Sequence, residues 1–383
     1  MSKDKSTGFA TKVIHGAEGH PELRDVVSPI HPTTIYRHPE SGMDSSRDHY
    51  IRLDNPNRRQ LEQLCANLEN GSDACAFASG MAAIAAVLQA LDPEDHIIIP
   101  LDIYHGTRTL VHNVMHRWNL RFDEVDMRDV NQVKQVIRPE TKLIWVETPS
   151  NPMLHITDIS AICNLAKNQP HEISVAVDNT WPSPALQQPL NLGADISVHS
   201  TTKYLGGHSD LLGGVVISRT KSRLSARIRE IQQQLGAVPS PNDCWLLVRS
   251  IKTLSWRMKG HCRNAVEVAQ FLKSIDGVSR VYYPGLEEHN GYEIAQKQMY
   301  DFGGMVSFEV EGGSDRALKI VGNSGIITRA TSLGGVESIW EHRKTSEAPG
   351  SKTPPGLIRL SVGLEDAGDI KADIANAISH ADI

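Results

Sequence analysis

The sequence predicts an α/β protein: a mainly parallel sheet with helices on both faces, followed by a smaller α+β part at the C-terminal end. Three observations predict it. Between about Gln60 and Ser218, short apolar runs alternate with helical patterns, the signature of βαβ units. The strand-like runs, such as "HIIIPL", "TKLIWVETP" and "ISVAVDNTW", are nearly continuous in apolar residues, as strands covered on both faces are. Around Pro239–Asp243 the order changes to a long helical stretch and then to strands separated by loops.

Taken in order, residues 1–58 are rich in Pro, His, Arg and Ser and lack sustained periodicity. They read as an extended N-terminal arm, and an arm of that length is expected to wrap something, with a neighbouring subunit as the natural candidate. Residues 59–243 are expected to form the large domain. "RRQLEQLCANLENG" is an amphipathic helix closed by Asn-Gly, and "SGMAAIAAVLQAL" is a second, almost wholly apolar helix. "HIIIPL" is a buried strand, "GTRTLVHNVMHRW" a helix, and "LRFDEVD" and "TKLIWVETP" are strands. "DISAICNLAKN" is a helix, and "ISVAVDNTW", "ADISVHS" and "LGGVVIS" are strands. Residues 244–383 are expected to form the C-terminal α+β domain. It holds the helical run "WLLVRSIKTLSWRMKGHCRNAVEVAQFLKSI", the strands "SRVYYPG", "GGMVSFEV", "GIITRAT" and "LIRLSVGLE", and a last helix in "DIKADIANAISHADI". Within it, "EHRKTSEAPGSKTPPG" reads as a polar, Pro-rich loop.

Composition narrows the function classes. The chain has 383 residues, 40% hydrophobic and 22% charged, with a net charge of -6 and a pI near 6.3. This acidic balance argues against nucleic acid or an anionic membrane as the main partner. The cysteines, Cys65, Cys75, Cys163, Cys244 and Cys262, are odd in number, scattered, and form no C-x-x-C pair. That pattern suits a reducing compartment. No apolar h-region opens the chain and no apolar run reaches ~18 residues, so neither a signal peptide nor a membrane span is expected, and a cytoplasmic location is. Without H-E-x-x-H or a Cys/His cluster, no metal site is expected.

The chemistry-bearing residues gather at strand ends. "VETPSNP" puts Glu147, Ser150 and Asn151 after one strand, "AVDNTW" puts Asp178 and Asn179 after another, and "SVHSTTK" puts Ser200, Thr202 and Lys203 after a third. Each alone is an ordinary turn former or helix cap. Together they bring carboxylates, hydroxyls and one lysine to the carboxyl edge of the sheet, where α/β sheets bind ligands. In "FASGMAAIAAV", Ser79-Gly80 opens a helix whose first N–H groups are free to bind phosphate. No Gly-Lys-Ser/Thr and no G-x-G-x-x-G accompanies it, so it is neither a nucleotide P-loop nor a dinucleotide fingerprint. A phosphate cradle, a lysine amine, an aspartate and an aromatic ring are the parts that pyridoxal phosphate (PLP) requires.

"YIRLDNP", "ASGMAA", "ETPSNP", "VDNTW", "HSTTKYLGGHSD" and "SLGGVES" jointly resemble the Cys/Met-metabolism group of PLP enzymes, and the resemblance covers nearly the whole chain. This group comprises the transsulfuration enzymes: cystathionine γ-synthase, cystathionine β- and γ-lyases, and methionine γ-lyase. The resemblance implies a PLP-dependent transferase-like fold of the aspartate aminotransferase type, with pyridoxal 5'-phosphate as cofactor. Lys203 matches the Schiff-base lysine, which also carries protons once substrate displaces it and a quinonoid forms. Ser200 and Thr202 match phosphate-binding hydroxyls, and Gly80 and Met81 match backbone phosphate donors. Asp178 matches the partner of the pyridine nitrogen. Tyr104 matches the tyrosine stacked on the ring, and Asn151 a side chain near the ring hydroxyl and the substrate carboxylate. Tyr50 and Arg52 match a pair that reaches the phosphate of the neighbouring subunit. Arg359 matches the clamp on the substrate α-carboxylate, and Ser332 a residue beside it. The resemblance also implies a homo-oligomer, a homotetramer, with active sites shared across a dimer interface and an amino acid as substrate.

The core motifs do not choose a reaction. Methionine γ-lyases carry a cysteine where this chain has Gly106. Many γ-synthases and γ-lyases carry a glutamate where it has Thr331, and His105 replaces a small residue beside the tyrosine. "EHRKTSEAPGSKTPPG" departs from the commoner HP-x-x-x-TH pattern. The leading expectation is a lyase cleaving a C–S bond in cystathionine or a related thioether amino acid, by β- or γ-elimination. The alternative is cystathionine γ-synthase, joining cysteine to an activated homoserine; an inactive PLP-binding regulator is the third reading.

Overall fold

The computed structural model describes residues 7–17, 25–40, 42, 49–347 and 352–381. Parts of the expected arm and residues 348–351 of the Pro-rich segment therefore lie outside the described residues.

The first sheet has seven strands: β1 (Asp73–Phe77), β2 (His96–Pro100), β3 (Arg121–Val125), β4 (Thr141–Glu147), β5 (Ser174–Asp178), β6 (Ile196–Ser200) and β7 (Gly214–Ser218). Their order is β1-β7-β6-β5-β4-β2-β3. From β6 through β5, β4 and β2 to β3 the pairings are parallel, and β7 runs antiparallel to both β6 and β1. The expected mainly parallel α/β sheet is therefore present. Its central strands are buried throughout, with Ile97, Ile98, Trp145, Val146 and Val177 inaccessible. Alternate residues enter two separate apolar clusters, one on each face, which accounts for the unbroken apolar runs in the sequence.

The helices around it start and stop where local chemistry dictates. Helix Pro56–Glu69 begins with Asn55 accepting a hydrogen bond from the Asn57 N–H and has Pro at its first position, where a missing N–H costs nothing. It ends on Asn70 at φ 56°, a left-handed stop that Asn tolerates. Helix Gly80–Gln89 is capped by Ser79, whose hydroxyl accepts from Ala82 N–H at 3.0 Å. Helix Arg223–Leu235, absent from the sequence-based expectation, carries a Ser222/Ser225 capping box and a Gly236 stop at φ 74°.

The second sheet has five strands: β8 (Val278–Tyr282), β9 (Met305–Val310), β10 (Thr328–Arg329), β11 (Ile339–His342) and β12 (Leu357–Ser361). The order is β10-β11-β12-β9-β8, antiparallel except for β10 against β11. Helices Leu254–Ser274, Gly313–Gly322 and Ala367–Ala381 contribute to its apolar core, around Trp340 and Phe308. The long helical stretch expected after Asp243 is two helices, Pro241–Ile251 and Leu254–Ser274. The first of these packs its Cys244, Leu247, Val248 and Ile251 into the core of the larger sheet.

The N-terminal residues are more structured than an extended arm. A short helix, Phe9–His15, buries Val13. Further on, the main chain is tied to the large-sheet helices: His31 N–H donates to Asn57 Oδ1 at 2.8 Å, and Trp245 Nε1 donates to Ser28 O at 2.8 Å. Val26, Val27 and Ile35 remain exposed on this stretch.

Candidate active site

The carboxyl ends of β4, β5 and β6 put Glu147, Asp178 and Ser200 along one edge of the large sheet. Arg359 arrives from the middle of β12, across the boundary between the sheets. A cavity of about 200 Å³ lies between them, and Gly80, Met81, Tyr104, Asn151, Asp178, Ser200, Thr202, Lys203, Ser332 and Arg359 all line it. Ten of the residues singled out from sequence thus share one pocket. Tyr50 and Arg52 do not line it: the Arg52 guanidinium donates to the Gln233 carbonyl and stacks over the Tyr50 ring at 5.6 Å.

Lys203 Nζ donates to Ser332 Oγ at 2.6 Å. Burial, and then the nearby Arg359 charge, bring its pKa down to about 8, because an ammonium loses hydration and gains a like-charged neighbour. Ser332 reaches the lysine from a backbone at φ 110°, a region that costs a non-glycine residue about 1–3 kcal/mol. Gly334 makes this approach practicable: its Cβ would stand 2.7 Å from Tyr204 N.

Glu147 and Asp178 are register partners on parallel β4 and β5. Burial raises both carboxyls, and for Glu147 the adjacent Asp178 adds to the effect. The Thr180 hydroxyl and N–H resist the rise at Asp178, the N–H donating at 3.1 Å. Hydrogen bonds to the charged form favour it, and Glu147 likewise accepts two from main-chain N–H groups. Among the described residues no lysine or arginine pairs with Asp178. A buried carboxylate with no lysine or arginine partner among the described residues, facing the same cavity as a lysine amine, fits a pyridinium nitrogen.

The phosphate end fits as well. Helix Gly80–Gln89 points its N-terminus into the pocket, and a Cβ on Gly80 would sit 2.7 Å from Ser200 Cβ. Only glycine lets the helix start and the β6 turn close into one cradle of N–H groups and hydroxyls. Thr202 Oγ1 is held by the Gly213 N–H at 3.1 Å.

The comparisons with known proteins show the family. The family model described as "Cys/Met metabolism PLP-dependent enzyme" matches residues 10–379. The chain belongs to the Cys/Met metabolism family of PLP-dependent enzymes. As a family member it is an enzyme, its cofactor is PLP, and its substrate is an amino acid. It is 44% identical over 380 residues to the cystathionine gamma-synthase of Mycobacterium leprae, covering 97% of each chain. It is also 44% identical over 385 residues to the cystathionine beta-lyase of Lactococcus lactis subsp. cremoris, covering 97% of this chain and 99% of the relative. The crystal structure of metB from Corynebacterium glutamicum superposes with a TM-score of 0.95 at 41% identity, over 98% of both chains. The fold is the one that the resemblance implied.

Sequence reasoning placed Glu147 at this edge without assigning it a role, and several other features of this family member escaped it. Glu147 lines the pocket and accepts hydrogen bonds from the N–H groups of Tyr104 (2.9 Å) and Asn151 (3.0 Å), so one buried carboxyl sets the position of both. Gly106 has a steric reason: a Cβ there would collide with the Tyr104 ring. The segment read as a polar loop begins instead with buried Glu341, His342 and Arg343, the first two on β11 and the third opening a four-residue helix. Glu341 is the register partner of Arg359 and accepts from its Nη2 at 3.1 Å. His105 lines a neighbouring cavity of about 690 Å³, which shares Glu147 and Asn151 with the first.

Proposed function

We propose that this protein is a carbon–sulfur lyase that cleaves cystathionine or a related thioether amino acid by β- or γ-elimination. The observation that carries the reading is the single cavity lined by Lys203, Asp178 and Arg359. When bound there, PLP supplies the electron sink for the pair left at Cα as its proton departs. Lys203 is the residue to take that proton: with its pKa brought down to about 8, its Nζ is available as a base near neutral pH. The same Nζ then returns the proton toward the departing sulfur, which leaves as a thiol. Asp178 would hold a negative charge against the ring nitrogen, Ser200, Thr202 and the Gly80–Met81 N–H groups would take the phosphate, and Tyr104 would cover the ring. Arg359 presents its fork to the α-carboxylate, a geometry suited to two parallel hydrogen bonds. Asn151 Oδ1, at 3.0 Å from its Nη1, and Glu341 keep the fork in place before substrate arrives, with Ser332 beside it.

The second reading, cystathionine γ-synthase, stands beside the first on one specific observation: relatives bearing the synthase and lyase names are equally similar at 44% identity. The test is direct. Purified holoenzyme receives cystathionine alone, and separately an activated homoserine with cysteine. Pyruvate identifies β-elimination, 2-oxobutyrate identifies γ-elimination, and newly made cystathionine identifies the synthase. Turnover of none of these sinks both readings.

The chain organisation that goes with this reading is an arm at 1–58, a PLP-binding large domain at 59–243 and a C-terminal domain at 244–383, in a cytoplasmic homotetramer. Tyr50 and Arg52 would serve the phosphate of the neighbouring subunit, which accounts for their position outside the pocket of their own chain. Arg52→Ala is then expected to weaken PLP retention. Mixing Arg52→Ala and Lys203→Ala subunits should restore activity, because some mixed sites would contain both native residues. Mixed oligomers without any regained turnover would contradict the shared site.

A further inference from the structure

The 341–347 segment, which departs from the usual family pattern, forms a charged wall of which the reaction described above uses only Glu341. Arg343 lines the Lys203 cavity together with Arg359. Behind them stand two acids that are not part of the lining. Glu341 Oε2 meets Arg343 Nη1 at 2.8 Å and Arg359 Nη2 at 3.1 Å, so the two guanidinium groups are held side by side on one oxygen. Glu347 Oε1 meets Arg343 Nη2 at 3.1 Å. Thr331, standing where many relatives have a glutamate, donates its hydroxyl to Glu341 Oε1 at 3.0 Å. Thr331, Ser332, Arg343 and Arg359 line the cavity on the side of the C-terminal domain, whereas its two acidic lining residues, Glu147 and Asp178, come from the carboxyl ends of β4 and β5.

Arg343 is nine-tenths buried, and its Nε has no hydrogen-bond partner. A guanidinium has five N–H donors in a fixed fork, and two of them account for its bonds to Glu341 and Glu347. Burying a charged side chain with unused donors is costly unless a ligand completes it. Arg359 is already committed to the α-carboxylate in the reading above, and this inference rests on that amino-acid pocket.

We propose that Arg343 is a specificity-determining residue that takes a carboxylate at the far end of the substrate side chain. The substrate class is then an amino acid whose side chain ends in a second carboxylate, and a distal ammonium alone is disfavoured. Glu341 and Glu347 act through Arg343 by fixing its fork.

The test uses two side chains of equal length without a leaving group, so that it does not depend on C–S cleavage. Holoenzyme is titrated with 2-aminoadipate and with its neutral side-chain amide, homoglutamine, following the near-visible absorbance of the bound cofactor. The native enzyme is expected to bind 2-aminoadipate about tenfold more tightly, the size of one charge-assisted hydrogen bond. Arg343→Gln should abolish that preference with little change for homoglutamine. Glu347→Gln, which frees one edge of the guanidinium, should widen it. If Arg343→Gln does not fold, Arg343→Lys replaces it and should narrow the preference, since the charge remains and the fork is lost. No preference in the native enzyme, or an equal loss of both ligands in the variant, overturns the proposal while leaving the amino-acid pocket standing. Binding of neither ligand overturns the pocket as well.

Discussion

Lys203→Ala is expected to give a folded protein whose turnover falls by roughly 10²–10⁴-fold or more, the contribution of a positioned acid–base group, with an added loss from cofactor that is no longer tethered. The fold should survive because the amine makes a single hydrogen bond, to Ser332, and contributes to none of the apolar clusters. Two readouts separate the roles. Absorbance after desalting reports whether cofactor is retained, and kcat in saturating PLP reports the proton transfer. An added small amine should recover part of the proton transfer without restoring the tether. A variant that keeps near-native kcat would remove Lys203 from the reaction altogether.

Asp178→Asn is expected to lower kcat by roughly 10²–10³-fold, the usual scale for removing one preorganised electrostatic contact from a reacting centre. The substitution preserves shape, and the Asn carbonyl can still accept from the Thr180 N–H. Only the charge is lost, and with it, on the proposed reading, the interaction that would keep the ring nitrogen protonated and electron-withdrawing. Cofactor content should change little, since the phosphate end is built from Gly80, Ser200 and Thr202. The measurement is kcat at matched cofactor occupancy. A kcat within about twofold of native would show that the carboxylate does not face the ring nitrogen.

The parts of this protein that could be read in advance share a physical cause. Asn151, Asp178, Ser200 and Lys203 stand at or just past the carboxyl ends of buried strands, and a cluster of polar residues there marks the carboxyl edge of the sheet. Glu341 and Arg343 carried no such mark. Glu341 lies on, and Arg343 follows, a short strand, Ile339–His342, whose pairing with β12 is non-local, and their charges looked solvated because their partners were unknown. The burial of one ion requires the other, and a sequence window contains only half of that relation. Strand β1, Asp73–Phe77, was missed because a short run of small residues has little periodicity. Helix Arg223–Leu235 was missed because it buries only Ser225, Ile228 and Gln232, too few for a clear apolar stripe. The helix Phe9–His15 was missed for a similar reason, with Val13 as its one buried side chain.

The central claim, that PLP is held covalently by the amine of Lys203 within the cavity between the two sheets, can be tested without any substrate. Purified holoenzyme is reduced with borohydride, digested, and its peptides are weighed. The account predicts a phosphopyridoxyl mass increment on the peptide containing Lys203 and on no other lysine. An increment on a different lysine, or none on an enzyme that retains its yellow colour, would contradict it.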